Sequence, residues 1–442
     1  MAGRLARIVG SGLCALVRLL PAAAAAAEPS PAATDPTLAG LRLEQAVELA
    51  LSRNERSRIS DLNVVVAEAG VERARAAFLP VVTAVGSDQQ HAYAAADRNP
   101  NNIANASLTV NQPILSAPAY ALYGQAKNLA EAQRAQTLDD KRLLAFTTAS
   151  AFFAVLNAQD VLQAALQQLD TAKANLADTQ ARAEAGLNST NDVTRAHVDM
   201  ASSAREVEID RGALDGAMIQ LAFVVNAKLS GSLVSPTATL AAAEEPLGPI
   251  DPLVTFALAR RPDMFASRYS ALAAHDFSQE PLLRLVPTLG LQGQATGTSN
   301  SGATGRWHDE LLQATLTWTL YDAGVRYADK HSRDAQATIA DLTFQQLARN
   351  VDAQVRGAVA FLTAEQGAFR VARDAVTASR QSVEETAILY RQGLAKAIEL
   401  VDANDQRFLA EVSYASAEFA VAQAYLSLRQ AIGLGPLGTE LK

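Results

Sequence analysis

Two acidic residues, Glu399 and Asp402, follow shortly after a glycine that interrupts a helical stretch. The stretch reads YRQGLAKAIELVDANDQR, and its glycine is Gly393. A spacing of three residues places both carboxylates on one face of the next helix, and Asp405 continues that spacing. Acids in the first turn of a helix are often structural, because they favour the positive helix end. If several copies of the chain met around an axis, however, these acids would line an opening.

The same pattern occurs once more in the chain. In RAEAGLNSTNDVTRAHVD, Gly186 lies 207 residues before Gly393, and Asp192 lies 207 residues before Glu399. The other matching pairs are Pro80 and Pro287, also 207 residues apart, and Ser116 and Asp322, 206 residues apart. A nearly constant offset over more than a hundred residues indicates a duplicated unit of about 200 residues.

Each repeat begins with strand-like segments that alternate apolar and small polar residues. We place these strands at about 80–90 and 105–116 in the first repeat, and at about 287–296 and 311–321 in the second. Their centres carry no charge over roughly the length that a tilted strand needs to cross a bilayer. An ordinary half-buried sheet would show the same alternation, so the pattern leaves both interpretations open.

Very long helical segments follow each pair of strands. The residues 117–183 and 324–391 are rich in Ala, Leu, Gln and Glu and predict helices about 100 Å long. Each is followed by a shorter returning helix, at 191–229 and 397–432. Each repeat is therefore predicted to be a β-hairpin that leads into a long αα-hairpin, and the two glycine patterns mark the hairpin tips.

Composition limits the class of protein further. The chain has 442 residues, 5% aromatic residues and a formal charge of −8, without a basic stripe, which argues against nucleic acid as a partner. Residues 1–27 resemble a secretory signal peptide. Cys14 is the only cysteine, so the chain has no intramolecular disulfide. Whether Cys14 carries a lipid stays open.

No arrangement of residues typical of an enzyme is present in the sequence. The five histidines, at positions 91, 197, 275, 308 and 331, have no metal-ligand spacing. The sequence has neither a phosphate-binding glycine loop nor a nucleophile elbow. We therefore expect no catalysis, no cofactor and no metal site.

The duplicated β-hairpin and αα-hairpin, with GLNSTNDVTRAHVD and GLAKAIELVDANDQR at the tips, resembles the TolC family of outer-membrane efflux and secretion channels. The resemblance covers roughly residues 40–435. It implies a mainly α-helical fold with a membrane β-barrel portion. In this family three copies assemble a twelve-stranded barrel and a twelve-helix periplasmic tunnel. The chain would then lie in the outer membrane of a Gram-negative bacterium, extend into the periplasm and conduct substrate passively.

The resemblance also assigns roles to individual residues. Glu399 and Asp402 match the acidic ring at the periplasmic entrance of the family, and Asp192 and Tyr390 match positions that hold this entrance closed. The arginine of that gate falls at Ala395, so Lys396 would have to take its role. The tip turns, which would contact a periplasmic adaptor protein, comprise Gly186, Leu187, Gly393 and Leu394. The adaptor would join the channel to an inner-membrane transporter of the ABC, RND or MFS type.

The predicted organisation is a signal peptide at 1–27, a flexible segment at 28–40, a first repeat at 41–235, a linker at 236–249, a second repeat at 250–435 and a short tail at 436–442. Two other classes of protein also carry long helical hairpins: the periplasmic adaptor itself and a structural coiled-coil protein. An adaptor would have one hairpin between small β-domains. A coiled-coil protein would leave the four alternating strands unexplained.

Overall fold

A computed structural model describes residues 40–90, 102–186, 189–229, 231, 233–299 and 306–437. The predicted signal peptide, Cys14 and nearly all of the segment 28–40 lie outside these residues, as do Leu187 and the last five residues of the tail. The ranges from residue 40 onward belong to one compact unit.

The structure confirms the tandem repeat. The first repeat comprises α1 (Leu43–Arg53), α2 (Glu55–Ala76), β1 (Val81–Gln90), β2 (Asn102–Leu115), α3 (Ala117–Glu184) and α4 (Thr190–Val225). The second follows α5 (Thr237–Glu244) and comprises α6 (Ile250–Arg260), α7 (Pro262–Leu283), β3 (Thr288–Thr298), β4 (His308–Thr317), α8 (Val325–Arg391) and α9 (Ala397–Ala431). The long helices α3 and α8 have 68 and 67 residues, and the returning helices α4 and α9 have 36 and 35.

The two αα-hairpins pack side by side. Helix α3 packs against α4 in the first hairpin, α8 packs against α9 in the second, and α3 contacts α9 between them. The seam between the hairpins is therefore formed mainly by α3 and α9. None of the helices in the described ranges has an apolar run long enough to cross a membrane.

Two hydrophobic cores hold the hairpins together where the short helices pack against them. Phe152 and Leu221, which are fully buried, belong to the first core, and Val355 and Leu362 belong to the second. Helix α9 contributes to both cores, with Leu426 in the first and Leu428 in the second. Burial of a large aliphatic or aromatic side chain contributes about 1.5–3 kcal/mol, so these cores fix how the hairpins are arranged.

The four strands form one antiparallel sheet in the order β1-β2-β3-β4. Ala84 pairs with Leu108, Ala106 with Gly297, and Ala295 with Glu310. The sheet thus joins both repeats through β2 and β3, and it leaves β1 and β4 at its two edges.

The position of β4 differs from the prediction of 311–321. The strand begins at His308, three residues earlier, and ends at Thr317. After Thr317 the chain is held by other groups: the Trp318 indole donates to the Leu285 carbonyl over 3.0 Å, and Arg326 donates to the Thr319 carbonyl over 2.9 Å. These bonds join Trp318 to the chain just after α7, and Thr319 to the first turn of α8.

The segment 236–249, which we predicted to be a linker, contains the two-turn helix α5. Its Ala243 is fully buried in the second core. Gln366 donates to the Ala243 carbonyl over 2.7 Å, and Arg373 pairs with Glu244 at 2.7 Å. Flanking Pro and Gly residues hide this helix in the sequence, whereas the contacts with α8 explain why it forms.

Candidate functional site at the hairpin tips

Both hairpins turn at the predicted glycines. Gly186 has φ of 74° and Gly393 has φ of 75°, in the left-handed region that favours glycine. A Cβ atom at either position would meet nothing within 4 Å, so the requirement is conformational and not steric. Leu394 beside the second glycine is 72% exposed. Leu187, its predicted counterpart, lies outside the described residues.

The acids after each glycine begin the returning helices in the same way. The Asp192 carboxylate accepts from the Ser189 backbone N–H over 3.1 Å, and Glu399 accepts from the Lys396 backbone N–H over 3.3 Å. Each acid therefore occupies the third helical position and caps its own helix. Within one protomer, both acids therefore have a structural role as helix caps, whatever further role they have.

The remaining predicted entrance and gate residues lie near these caps. Asp402 is exposed one turn beyond Glu399 on α9, and Glu399 is exposed as well. Lys396 is the residue preceding α9, and it is exposed too. The structure thus places Glu399 and Asp402 at the tip of the second hairpin. Their arrangement as a ring depends on further copies of the chain and stays a prediction.

A groove of about 550 Å³ lies between the hairpins close to the tips. It is lined by parts of α3, α4 and α9 and by Tyr390 at the end of α8. Asp192 and Tyr390 both line it, so the structure brings two of the predicted gate residues together. Lys396 is not among the residues that line the groove. No hydrogen bond joins the described side chains of Asp192 and Tyr390, and the carboxylate of Asp192 bonds to Ser189 instead.

A residue that the sequence did not reveal contacts the buried Tyr390. The guanidinium of Arg182 lies 4.4 Å from the centre of the Tyr390 ring, and Arg182 pairs with Asp178 at 2.9 Å. The cation beside the tyrosine therefore comes from the last turn of α3, in the other hairpin. In the sequence, Arg182 is marked only by its position four residues before Gly186, near the C-terminal end of a helix, where cations are stabilising.

Two further acids face each other across this groove. Asp199 lies on α4 and Asp405 on α9. Burial raises the pKa of both carboxyls, and the charges of Asp199 and Asp402 raise the pKa of Asp405 further. The amide of Gln168 on α3 donates to Asp405 Oδ1 over 3.0 Å. Within the described ranges, no group of three or more His, Cys, Asp or Glu side chains is arranged to hold a metal ion.

The family of the chain follows from a comparison of its sequence with known families. The outer membrane efflux protein family matches residues 46–227 and, separately, residues 253–434. The chain belongs to this family. The two matches coincide with the two repeats of the fold. Membership places the chain in the outer membrane, from which it extends into the periplasm.

Individual relatives are distant in sequence, but each match covers most of both chains. The chain is 22% identical to the outer membrane protein TolC of Escherichia coli over 428 residues, which is 90% of the chain and 86% of the relative. Its fold is similar to that of CusC, with a TM-score of 0.80, 17% identity and coverage of 94% and 100% of the two chains. For the open outer membrane channel MtrE of Neisseria gonorrhoeae the TM-score is 0.77, with 17% identity and coverage of 96% and 100%.

Proposed function

We propose that this efflux-family member works as a homotrimeric channel-tunnel that conducts substrate passively from an inner-membrane transporter, through the periplasm, to the outside. The transporter and a periplasmic adaptor would complete a tripartite efflux or type I secretion system. The tunnel itself would carry out no catalysis. A periplasmic adaptor is disfavoured as an alternative, because the chain has two tandem hairpins that both match the efflux family.

The observation that best supports this proposal is the sheet with two open edges. The strands β1 and β4 lie at the edges of the sheet, and all ten residues of each strand are exposed. Their large apolar side chains include Val82 on β1 and Leu312 on β4. An exposed apolar edge strand pairs readily with another chain. Pairing of β4 with β1 of the next copy would remove both edges once three copies close a ring.

The helices also expose apolar side chains that a neighbouring copy would cover. On α2, Ile59, Leu62 and Val66 form a stripe along one face, and each is more than half exposed. On α4, Ile219 and Phe223 are one turn apart and are 65% and 77% exposed. Patches of this kind mark protein interaction surfaces. In a trimer, a neighbouring copy would cover them.

In a trimer the hairpin tips would converge on the axis. Six carboxylates from Glu399 and Asp402 would then surround one aperture and favour cations. Tyr390 and Asp192 would act as the gate between the hairpins. The position of Arg182 over the Tyr390 ring suggests that it takes the role expected of Lys396.

Partners would bind at the tips. The exposed Leu394 and the turn at Gly393 offer a surface for the hairpin of an adaptor, together with the turn at Gly186 of the first tip. Leu187, which we also predicted to contact the adaptor, lies outside the described residues. The class of the transporter, ABC, RND or MFS, would decide the cargo.

The assembly and the conductance can be tested on the purified full-length protein. Native mass spectrometry in mild detergent should give a trimer, and planar bilayers should show discrete channels that favour cations. A stable monomer, or bilayers without channels, would contradict the proposal.

A second experiment tests the partners in the cell. A photocrosslinking residue at Leu394 should capture an adaptor protein, whereas the same residue at Leu342, exposed on α8 and far from the tip in sequence, should not. Equal capture from both positions would argue against docking at the tips.

A further inference from the structure

A hydrogen bond between Gln168 and Asp405 joins the two hairpins, and the amide oxygen of Gln168 has no partner. Gln168 on α3 is 5% exposed, and its Nε2 donates to Asp405 Oδ1 on α9 over 3.0 Å. The Oε1 atom of the same amide is buried and has no hydrogen-bond partner. A buried acceptor without a hydrogen-bond partner is destabilising. The Oε1 atom of Gln168 therefore favours a nearby donor, which an ionised Asp405 does not provide.

The surroundings of Asp405 are mainly acidic. The charges of Asp199 on α4 and Asp402 on α9 act on Asp405, and both oppose its ionisation. The other charged or titratable groups that line the groove are Asp178 from α3, Asp192, Arg195, Arg205 and Glu206 from α4, and the Tyr390 phenol from α8.

These other groups do little to neutralise Asp405. Asp178 and Asp192 have partners within their own hairpin, and Arg205 pairs with Glu206 at 3.0 Å. Arg195 is exposed. On α9, Arg407 donates to the Thr171 hydroxyl over 3.2 Å and not to Asp405.

A protonated carboxyl would complete the contact with Gln168. A carboxylic acid has one O–H donor and a remaining acceptor, which matches the acceptor and donor of a primary amide. Gln168 Nε2 would still donate to one carboxyl oxygen, and the Asp405 O–H would donate to Gln168 Oε1. After ionisation only the first of these bonds remains, and the amide oxygen is left facing a carboxylate.

We propose that Asp405 and Gln168 form a proton-binding contact that holds the two hairpins together when Asp405 is protonated and loosens when it ionises. The contact joins α3 and α9 directly, in the groove that also contains Tyr390. Proton binding would therefore favour the closed arrangement of the tips. The consequence for conductance rests on the proposed channel function, whereas the proton-binding contact itself does not.

The direction of the pH effect follows from the shift of the carboxyl. Burial first, and then the charges of Asp199 and Asp402, raise the pKa of Asp405. A raised pKa in the folded protein means that the protonated form stabilises the contact. The stabilisation is complete below the ordinary carboxyl pKa and is lost as the pH rises through the raised value. Within that interval, each pH unit changes the ratio of the two states by up to about tenfold.

Infrared difference spectroscopy tests the proton site without reference to conductance. Spectra of the purified protein between about pH 5 and pH 8 should show a protonated carboxyl that titrates above the ordinary carboxyl range. The Asp405 component of this signal should be missing from Asp405→Asn and present in the control Asp170→Asn, whose carboxylate is exposed on α3. The contributions of Asp199 and Glu418, whose pKa values burial also raises, should remain in both variants. Identical spectra for the wild type and Asp405→Asn would overturn the proposal.

Planar-bilayer conductance tests the consequence. The wild type should open more as the pH rises through the same interval. Asp405→Asn should stay mostly closed at every pH, because an amide keeps both hydrogen bonds with Gln168 without a proton. Gln168→Met should open more and lose most of the pH dependence, and circular dichroism should verify its folding.

The two experiments distinguish failure of the proposed channel function from failure of the inferred contact. Protein that forms no channels at all would count against the proposed function, while the infrared titration would still test the contact. Channels with a pH dependence that is unchanged in both Asp405→Asn and Gln168→Met would overturn the inferred contact and leave the channel intact.

Discussion

If the proposed gate closes the channel, replacing Arg182 with Gln should raise the fraction of time for which the channel is open. The guanidinium lies 4.4 Å from the centre of the Tyr390 ring and pairs with Asp178 at 2.9 Å. Tyr390 is only 7% exposed and the Arg182 side chain is 27% exposed, so the contact is partly shielded from bulk water. Because Arg182 lies on the first hairpin and Tyr390 on the second, this contact is lost when the hairpins part.

The expected magnitude follows from the two interactions of Arg182. A cation over a largely buried aromatic ring contributes about 1–2 kcal/mol. The ion pair with Asp178 lies within α3 and persists when the hairpins part, so it adds little to the difference between the two states. A loss of about 1–2 kcal/mol from the closed state corresponds to about a 5- to 30-fold rise in the ratio of open to closed states for each protomer, and this is the smallest change expected for the proposed trimer.

Single-channel recording in planar bilayers measures this ratio directly. Arg182→Lys should give a smaller effect, because an ammonium keeps the charge but loses the planar contact with the ring. Arg211→Gln is the matched control, since Arg211 is exposed on α4 and pairs with Glu208 within the same helix. An open probability that is equal in Arg182→Gln and Arg211→Gln would refute the reasoning.

Three further predictions concern the tips and the seam. Gly393→Ala should destabilise the second tip by about 1–2 kcal/mol, because φ is 75° there, and limited proteolysis should cut this tip faster. The double variant Glu399→Gln, Asp402→Asn should keep the helix cap, since Gln also accepts at that position, and a reversal-potential measurement should show weaker cation selectivity; unchanged selectivity would argue against an acidic ring. Burial first, and then the charge of Asp160, raise the pKa of Glu418, so the wild type loses stability as the pH rises through that raised value. Glu418→Gln should therefore melt at a higher temperature than the wild type near neutral pH, and the two should melt at nearly the same temperature at acid pH. The opposite pH trend would contradict the raised pKa of Glu418.

The sequence was sufficient to predict the features that repeat. The offset between Gly186 and Gly393 predicted two equivalent hairpins, and both glycines adopt the same left-handed conformation. The alternation of apolar and small polar residues predicted four strands, although the ends of β4 depend on bonds made by Trp318 and Arg326. Local periodicity predicts these features because each depends on residues that lie close together in the sequence.

The sequence could not predict the contacts that cross between the hairpins. Gln168 is one of many glutamines on α3, and nothing in its local pattern marks it as the partner of Asp405, 237 residues away. Nothing in the local sequence marks Arg182 as the residue that contacts the Tyr390 ring from the other hairpin. Such pairs depend on the rotation of two long helices about their axes, which the distant cores around Phe152 and Leu362 fix. The gate role of Lys396 stays a prediction.

The two repeats have the same acidic helix cap in different surroundings. Asp192 and Glu399 both cap their helices at the same position after the same glycine turn. Asp192 is partly buried and lines the groove with Tyr390, whereas Glu399 is exposed together with Asp402. We expect a carboxylate in the groove to influence the contact between the hairpins, and an exposed carboxylate at the tip to influence ions that pass the proposed aperture. Duplication therefore explains the shared geometry, and the difference in burial predicts that neutralising Asp192 alters gating while neutralising Glu399 alters ion selectivity.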